Sequence, residues 1–419
     1  MSKNLIILLV GLVILSCMAI FNQNPLVFDE RLFPPNVELM EKYGFGKRFL
    51  VEMKDQAPGP LYQFVHLPLK GITHLKAQNL RIVNLIIFYM VIGMLWVIYN
   101  KSFGRNRYDS FYLAMHLVAV TTVWQIAGLV LTEMPAIFFL TLSFYIGTII
   151  LQYAGQGDNT KIFWLSILMG ITGGLAVLGR TPYLVMLAAF FAILFFQKYF
   201  RKDPFSVPVA FAPYAIVVLA MIVPIFIIWG GLAPPLQPLV DGAIKLRQAF
   251  LAFAYAGVLG LLINYKWFLF NRSIFYILIA TFVIFLILNF IGSGFEYAPM
   301  SATFQKVFGK SETLLMIYTK IISSLLASAG AYFLICCYYR GLQNLDNKMY
   351  LFAMLAALAI LASTAKISHQ FSSRYVAQAA PFLVLMFANI DQEDKWKWAR
   401  FIVAMVMGIL SLNTYAKIF

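Results

Sequence analysis

Pro25-Leu-Val-Phe-Asp-Glu-Arg31 lies in the longest polar stretch of the chain, from about Asn22 to Gln78, and nearly everything outside that stretch reads as membrane helix. The stretch holds two of the four histidines and a dense set of acids, among them the adjacent pair Asp29-Glu30. Chemistry is sought first where acids gather in a loop of an otherwise apolar chain.

Composition bounds the fold. Of 419 residues, 62% are hydrophobic and only 12% charged, against about 25% charged in soluble domains. The chain reads as an all-α, polytopic integral membrane protein. Cys17, Cys336 and Cys337 lie in apolar segments without CxxC or Cys/His spacing, which supports neither a disulfide framework nor a zinc site. A net charge of +15 would suit nucleic acid, but the Lys and Arg fall in alternate loops, so nucleic acid is excluded as a partner.

Lys3 precedes an apolar run from Leu5 to Phe21, long enough to span at 1.5 Å per residue. No small-residue cleavage site follows, so it reads as an anchor helix rather than a signal peptide. Further apolar segments cover roughly 80–99, 109–127, 132–152, 162–178, 182–197, 208–229, 247–264, 274–291, 312–338, 349–366, 372–390 and 400–417. About thirteen spanning helices result, in one transmembrane domain over residues 1–419.

With the N-terminus in the cytoplasm, the cytoplasmic short loops carry Lys101, Arg105 and Arg107; Lys161; Lys198, Arg201 and Lys202; Lys266 and Arg272; Arg340 and Lys348; Lys395, Lys397 and Arg400, and the short loops on the other side carry fewer basic residues. The loop 22–78 is then extracytoplasmic, most simply on a prokaryotic cytoplasmic (inner) membrane; an endoplasmic reticulum location would put it in the lumen. Within the loop, Asn36 suits the cap of a short helix Val37–Tyr43 ending at Gly44, and Leu61–Leu75 suits a second helix lying in the interface. Trp96, Trp124, Trp229 and Trp267 fall near span ends and read as interface anchors.

Other ionisable residues reach the same face under this topology: Glu133, Arg180, Lys366, His369 and Arg374, with Tyr375 beside the last. Singly, a charged residue at a helix end is an ordinary interfacial side chain. Together, acids in a loop and cations at helix ends suit a reaction that needs a base and a bound phosphate.

The order of motifs resembles the GT-C superfamily of glycosyltransferases, which take a sugar from a polyprenyl-phosphate carrier and have an acidic pair in the first extracytoplasmic loop. The match in order is closest to the dolichyl-phosphate-glucose α-1,2-glucosyltransferase family. The residues that carry it are Ala57-Pro-Gly-Pro-Leu-Tyr62, Leu80-Arg-Ile-Val-Asn-Leu85, Leu131-Thr-Glu-Met-Pro-Ala-Ile-Phe-Phe139 and Gly179-Arg-Thr-Pro-Tyr183. Protein O-mannosyltransferases and lipid A aminoarabinose transferases look similar around Asp29-Glu30 and from the prolines to His66. Beyond the first 190 or so residues, only Arg374-Tyr375 adds to the match. Pro60 is inserted, and Gly179-Arg-Thr-Pro182 replaces the Arg-Gln-Thr-Asn of the eukaryotic enzymes, so no donor sugar is carried over.

The resemblance implies an inverting transfer from a polyprenyl-phosphate-sugar donor lipid to a hydroxyl of a glycan, lipid or protein acceptor. Asp29 would be the base, because the family places the base first; from the residues alone Glu30 is equally eligible. Arg374, Arg180 and Lys366 are the phosphate candidates, while Asp55, His66, Glu133, His369 and Tyr375 complete the candidate substrate-binding set. No cofactor is certain. A hard divalent cation held by Asp29, Glu30, His66 and Glu133 with water is conceivable, though no spacing calls for one. Membrane lipids surround the whole. A transporter or lipid flippase is the alternative, but it calls for charges at mid-membrane in two related halves. An O-antigen ligase or polymerase carries its large loop late, and a scaffold leaves the acid pair unexplained.

Overall fold

A computed structural model describes residues 2–54, 56, 59–236, 244–292, 295, 297, 299, 301–309, 311–367, 371–389 and 394–417. Among these residues the chain is helical with no strand, its sole β-type pairing being an isolated bridge between Lys54 and Leu236.

Eleven helical segments among the described residues are long and apolar enough to cross a membrane: Lys3–Ile20, Ala77–Lys101, Glu133–Ala154, Asn159–Gly179, Thr181–Tyr199, Val207–Trp229, Leu246–Trp267, Arg272–Ile291, Glu312–Gln343, Lys348–Lys366 and Lys397–Tyr415. The protein is an integral membrane protein. Two of the segments expected to span, 109–127 and 372–390, are interrupted. The first is a helix Arg107–Met115, a 3₁₀ turn His116–Ala119 and a short helix Val123–Gly128; the second is Arg374–Ala377 followed by Ala380–Phe387. Both runs are almost wholly buried. Irregular backbone survives at membrane depth only where protein, rather than lipid, surrounds it. A continuous apolar run therefore marks here the middle of the bundle as well as its rim.

Burial also decides the tryptophans. Trp124 and Trp267 are fully buried and Trp229 nearly so, with indole N–H bonds to Val118 O, the Tyr350 hydroxyl and Leu50 O at 2.8–2.9 Å. Of the four expected anchors, Trp96 alone keeps the exposure of an interface residue. Trp124 is covered by the last helix: a Cβ on Gly408 would sit 2.7 Å from the indole, so the absent side chain lets the helix Lys397–Lys417 close on the interrupted run.

The polar loop folds into short pieces. A 3₁₀ turn Phe28–Leu32 carries the acid pair, and a helix Phe33–Tyr43 follows directly, started by prolines in its first turn and stopped at Gly44 with φ 67°. Asn36 is therefore inside the helix rather than its cap. Its side-chain amide donates to Leu32 O, Lys54 O and Gln56 Oε1, tying the helix to the strand of loop beyond. The expected helix Leu61–Leu75 is broken into Leu61–His66 and Lys70–Thr73.

Candidate active site

The two adjacent acids have opposite surroundings. Glu30 is buried, its side chain 1% exposed, and pairs with the equally buried Arg81 through two bonds, Nε to Oε1 at 3.1 Å and Nη2 to Oε2 at 2.7 Å. The backbone N–H groups of Val27 and Val130 donate to the same two oxygens at 2.8 and 2.7 Å. An ionised carboxylate has about four acceptor positions, and Glu30 has filled them. Asp29 is 40% exposed, and its Oδ2 accepts from Arg374 Nη1 at 2.7 Å. Of the pair, only Asp29 is open to its surroundings.

Arg374 opens the first turn of the short helix Arg374–Ala377. Burial works to lower its pKa, and the carboxylates of Glu133 and Asp29 outweigh that and leave it raised. Glu133 begins the helix Glu133–Ala154, is completely buried and is ion-paired with Arg180, the residue at the end of the helix Asn159–Gly179. That approach depends on Gly179, where a Cβ would stand 2.6 Å from Ala136 Cβ and from Leu61. Among the described residues Glu133 Oε2 takes no hydrogen bond, and the Nε–H groups of Arg180 and Arg374 are buried and unpartnered. Two arginines thus keep donors in reserve around one buried acid.

Tyr375 is buried next to this group; burial raises its pKa, while Arg374 and Arg180 pull the other way. Asp29, Glu133, Arg180, Arg374 and Tyr375, dispersed over the sequence, are brought together. Lys366 is exposed in the turn Thr364–Lys366 and joins none of these ion pairs among the described residues. Asp55 and His369 lie outside the described residues.

His66 has a different setting. Its ring stacks on Tyr62 with centroids 4.0 Å apart, it is fully buried, and neither ring nitrogen has a partner among the described residues. Burial pushes its pKa down to about 3, so it is a neutral packing ring at ordinary pH. The cation site imagined from Asp29, Glu30, His66 and Glu133 does not assemble. Glu30 is spent on Arg81, His66 packs on Tyr62, and among the described residues no three of His, Cys, Asp and Glu gather around one point.

Sequence reasoning missed Arg81 and Tyr415. Arg81 stands inside an apolar helix, where an ionisable residue always needs a partner, and that signal was legible. Tyr415, at the end of the last helix, packs its ring on Phe28 at 5.4 Å, beside the turn that bears Asp29; nothing local in the sequence marks it.

No protein-family model matches the chain, and no curated protein does. Among solved structures, ArnT from Cupriavidus metallidurans in the apo state is similar at 13% identity and TM-score 0.42, over 91% of this chain and 76% of that one. The same protein bound to undecaprenyl phosphate gives 12% and 0.43, over 98% and 88%. The archaeal oligosaccharyltransferase AglB from Archaeoglobus fulgidus, in complex with an inhibitory peptide and a dolichol-phosphate, gives 12% and 0.45; the match covers 99% of this chain and 55% of AglB. Similarity at this level assigns neither family nor chemistry to the chain.

Proposed function

We propose that the protein is an inverting, GT-C-like glycosyltransferase that moves a sugar from a polyprenyl-phosphate donor to an acceptor hydroxyl on the extracytoplasmic face. The observation that carries the proposal is the contrast within the acid pair: one carboxylate sealed by Arg81, the next exposed and in contact with Arg374. The motif order of the sequence supports the same chemistry.

In this mechanism Asp29 takes the proton of the acceptor hydroxyl as that oxygen attacks the anomeric carbon. A new C–O bond forms on one face while the bond to the phosphate oxygen breaks on the other, and polyprenyl phosphate leaves with the electron pair. A neutral hydroxyl is a weak nucleophile, and one positioned carboxylate accelerates such a step by about 10²–10⁴-fold. The leaving group is already a stable anion, so cations replace a general acid. Arg374 and Arg180 supply them, with free Nε–H donors and guanidinium forks suited to phosphate oxygens. Glu133 pairs with Arg180 and places its charge near Arg374, with Tyr375 buried beside them.

The test is sugar transfer by the purified protein in nanodiscs, with a panel of short-chain polyprenyl-phosphate sugars and glycan, lipid and peptide acceptors. Release of polyprenyl phosphate with inversion at the anomeric carbon supports the proposal. Movement of the intact lipid across the bilayer with no sugar released would instead support a transporter.

A further inference from the structure

We infer that Arg81 is a positioning residue that sets Asp29 and Glu133 in register with each other, an inference that rests on the transferase proposal. A guanidinium has five N–H donors, and Arg81 uses all of them. Besides the two bonds to Glu30, Nη1 donates to Asn22 O at 3.1 Å and Asn24 O at 2.8 Å, and Nη2 to Pro25 O at 3.1 Å. The side chain is fully buried. One residue of the helix Ala77–Lys101 thereby holds both the exit of the first helix and the turn that bears Asp29.

The other acid is tied to the same helix. Val130, three residues before Glu133, donates its N–H to Glu30 at 2.7 Å. Asn84, one turn along from Arg81, donates from Nδ2 to Leu129 O at 2.7 Å and Leu131 O at 3.0 Å, on either side of Val130. Both acids are thus measured from one rigid element, although 104 positions separate them in the sequence (133 − 29). The turn needs such an anchor. Phe28, between the pinned Val27 and Asp29, has φ 46°, a left-handed backbone that a phenylalanine avoids unless its surroundings impose it.

A residue that only stabilised the fold would lower the amount of folded enzyme. A positioning residue lowers kcat in enzyme that is folded and still binds donor. The experiment uses Arg81→Lys, which keeps the charge and loses the fork, and Asn84→Ser, which loosens 129–131 without touching the ion pair. For each, melting in detergent, affinity for farnesyl phosphate, and kcat and KM of sugar transfer are measured. In parallel, spin labels on exposed Arg31 and Thr414, in a background lacking the exposed Cys17, report how sharply the turn is placed against the last helix.

Arg81→Lys is expected to reduce kcat roughly 100-fold, the scale of a 1 Å misplacement, with farnesyl phosphate affinity and KM within about threefold of wild type and a broadened label distance. Asn84→Ser is expected to lower kcat by a smaller factor in the same pattern. Loss of activity only in proportion to loss of folded protein, a raised KM with kcat intact, or an unchanged label distance would overturn the inference. If the wild type transfers no sugar from any donor, the proposed function fails, and the label distances alone decide the positioning role.

Discussion

Arg374 Nη1 lies 2.7 Å from Asp29 Oδ2, so the accessible carboxylate of the site is held by a cation that an incoming phosphate would also seek. Under the proposed function, donor binding would have two effects in one contact: it would neutralise Arg374 and release Asp29. Arg374→Gln is expected to weaken farnesyl phosphate binding by about 30-fold or more, the effect of breaking a buried charged contact worth roughly 2–5 kcal/mol. Isothermal titration measures it, and an unchanged affinity would remove Arg374 from the phosphate site.

The Glu30–Arg81 pair predicts the opposite behaviour for the neighbouring acid. Both side chains are sealed from water, and removing one partner of a buried pair costs about 3–5 kcal/mol. Glu30→Gln should therefore lower the melting temperature of the purified protein clearly, whereas Asp29→Asn, at a 40% exposed position, should leave it close to wild type. Equal melting of the two variants would contradict the assignment of roles.

Gly179 offers a test that leaves every charged side chain in place. A methyl group there would meet Ala136 Cβ and Leu61 at 2.6 Å, forcing the helix Asn159–Gly179 away from the helix Glu133–Ala154. Overpacking of this kind costs about 1–3 kcal/mol, and it would move Arg180 off Glu133. Gly179→Ala is expected to lower both the melting temperature and the affinity for farnesyl phosphate; wild-type affinity in that variant would show that Arg180 does not serve the phosphate.

His66 gives a pH dependence with a definite sign. Its folded pKa is about 3 against an ordinary 6.5, so between those values the unfolded chain binds the extra proton and stability falls as pH falls. The slope contributed is at most about 1.4 kcal/mol per pH unit. Melting curves from pH 7 to pH 4 should show His66→Phe losing less stability than wild type, since the ring that stacks on Tyr62 is kept and the titration removed. Parallel curves would contradict the buried neutral histidine.

Charges were the most legible part of the sequence, because in so apolar a chain each must be solvated, paired or used. That logic singled out Asp29, Glu133, Arg180 and Arg374, which the fold collects around two ion pairs. It could not tell Asp29 from Glu30, since the difference is made by Arg81, 51 positions away from Glu30 and on another helix. Hydropathy located the long helices and missed the breaks at His116–Ala119 and after Ala377. Residues surrounded by protein and residues surrounded by lipid are equally apolar, and the same ambiguity hid the burial of Trp124 and Trp267.

The central claim is that Asp29 is the base of a sugar transfer from a lipid phosphate. Its most direct test is single-turnover transfer from a short-chain polyprenyl-phosphate sugar that the wild type accepts, run side by side with Asp29→Asn under saturating donor. The account predicts that Asp29→Asn binds the donor and melts as wild type does, while its rate of polyprenyl phosphate release falls by about 10²–10⁴-fold. Release at the wild-type rate from folded, donor-bound Asp29→Asn would contradict it.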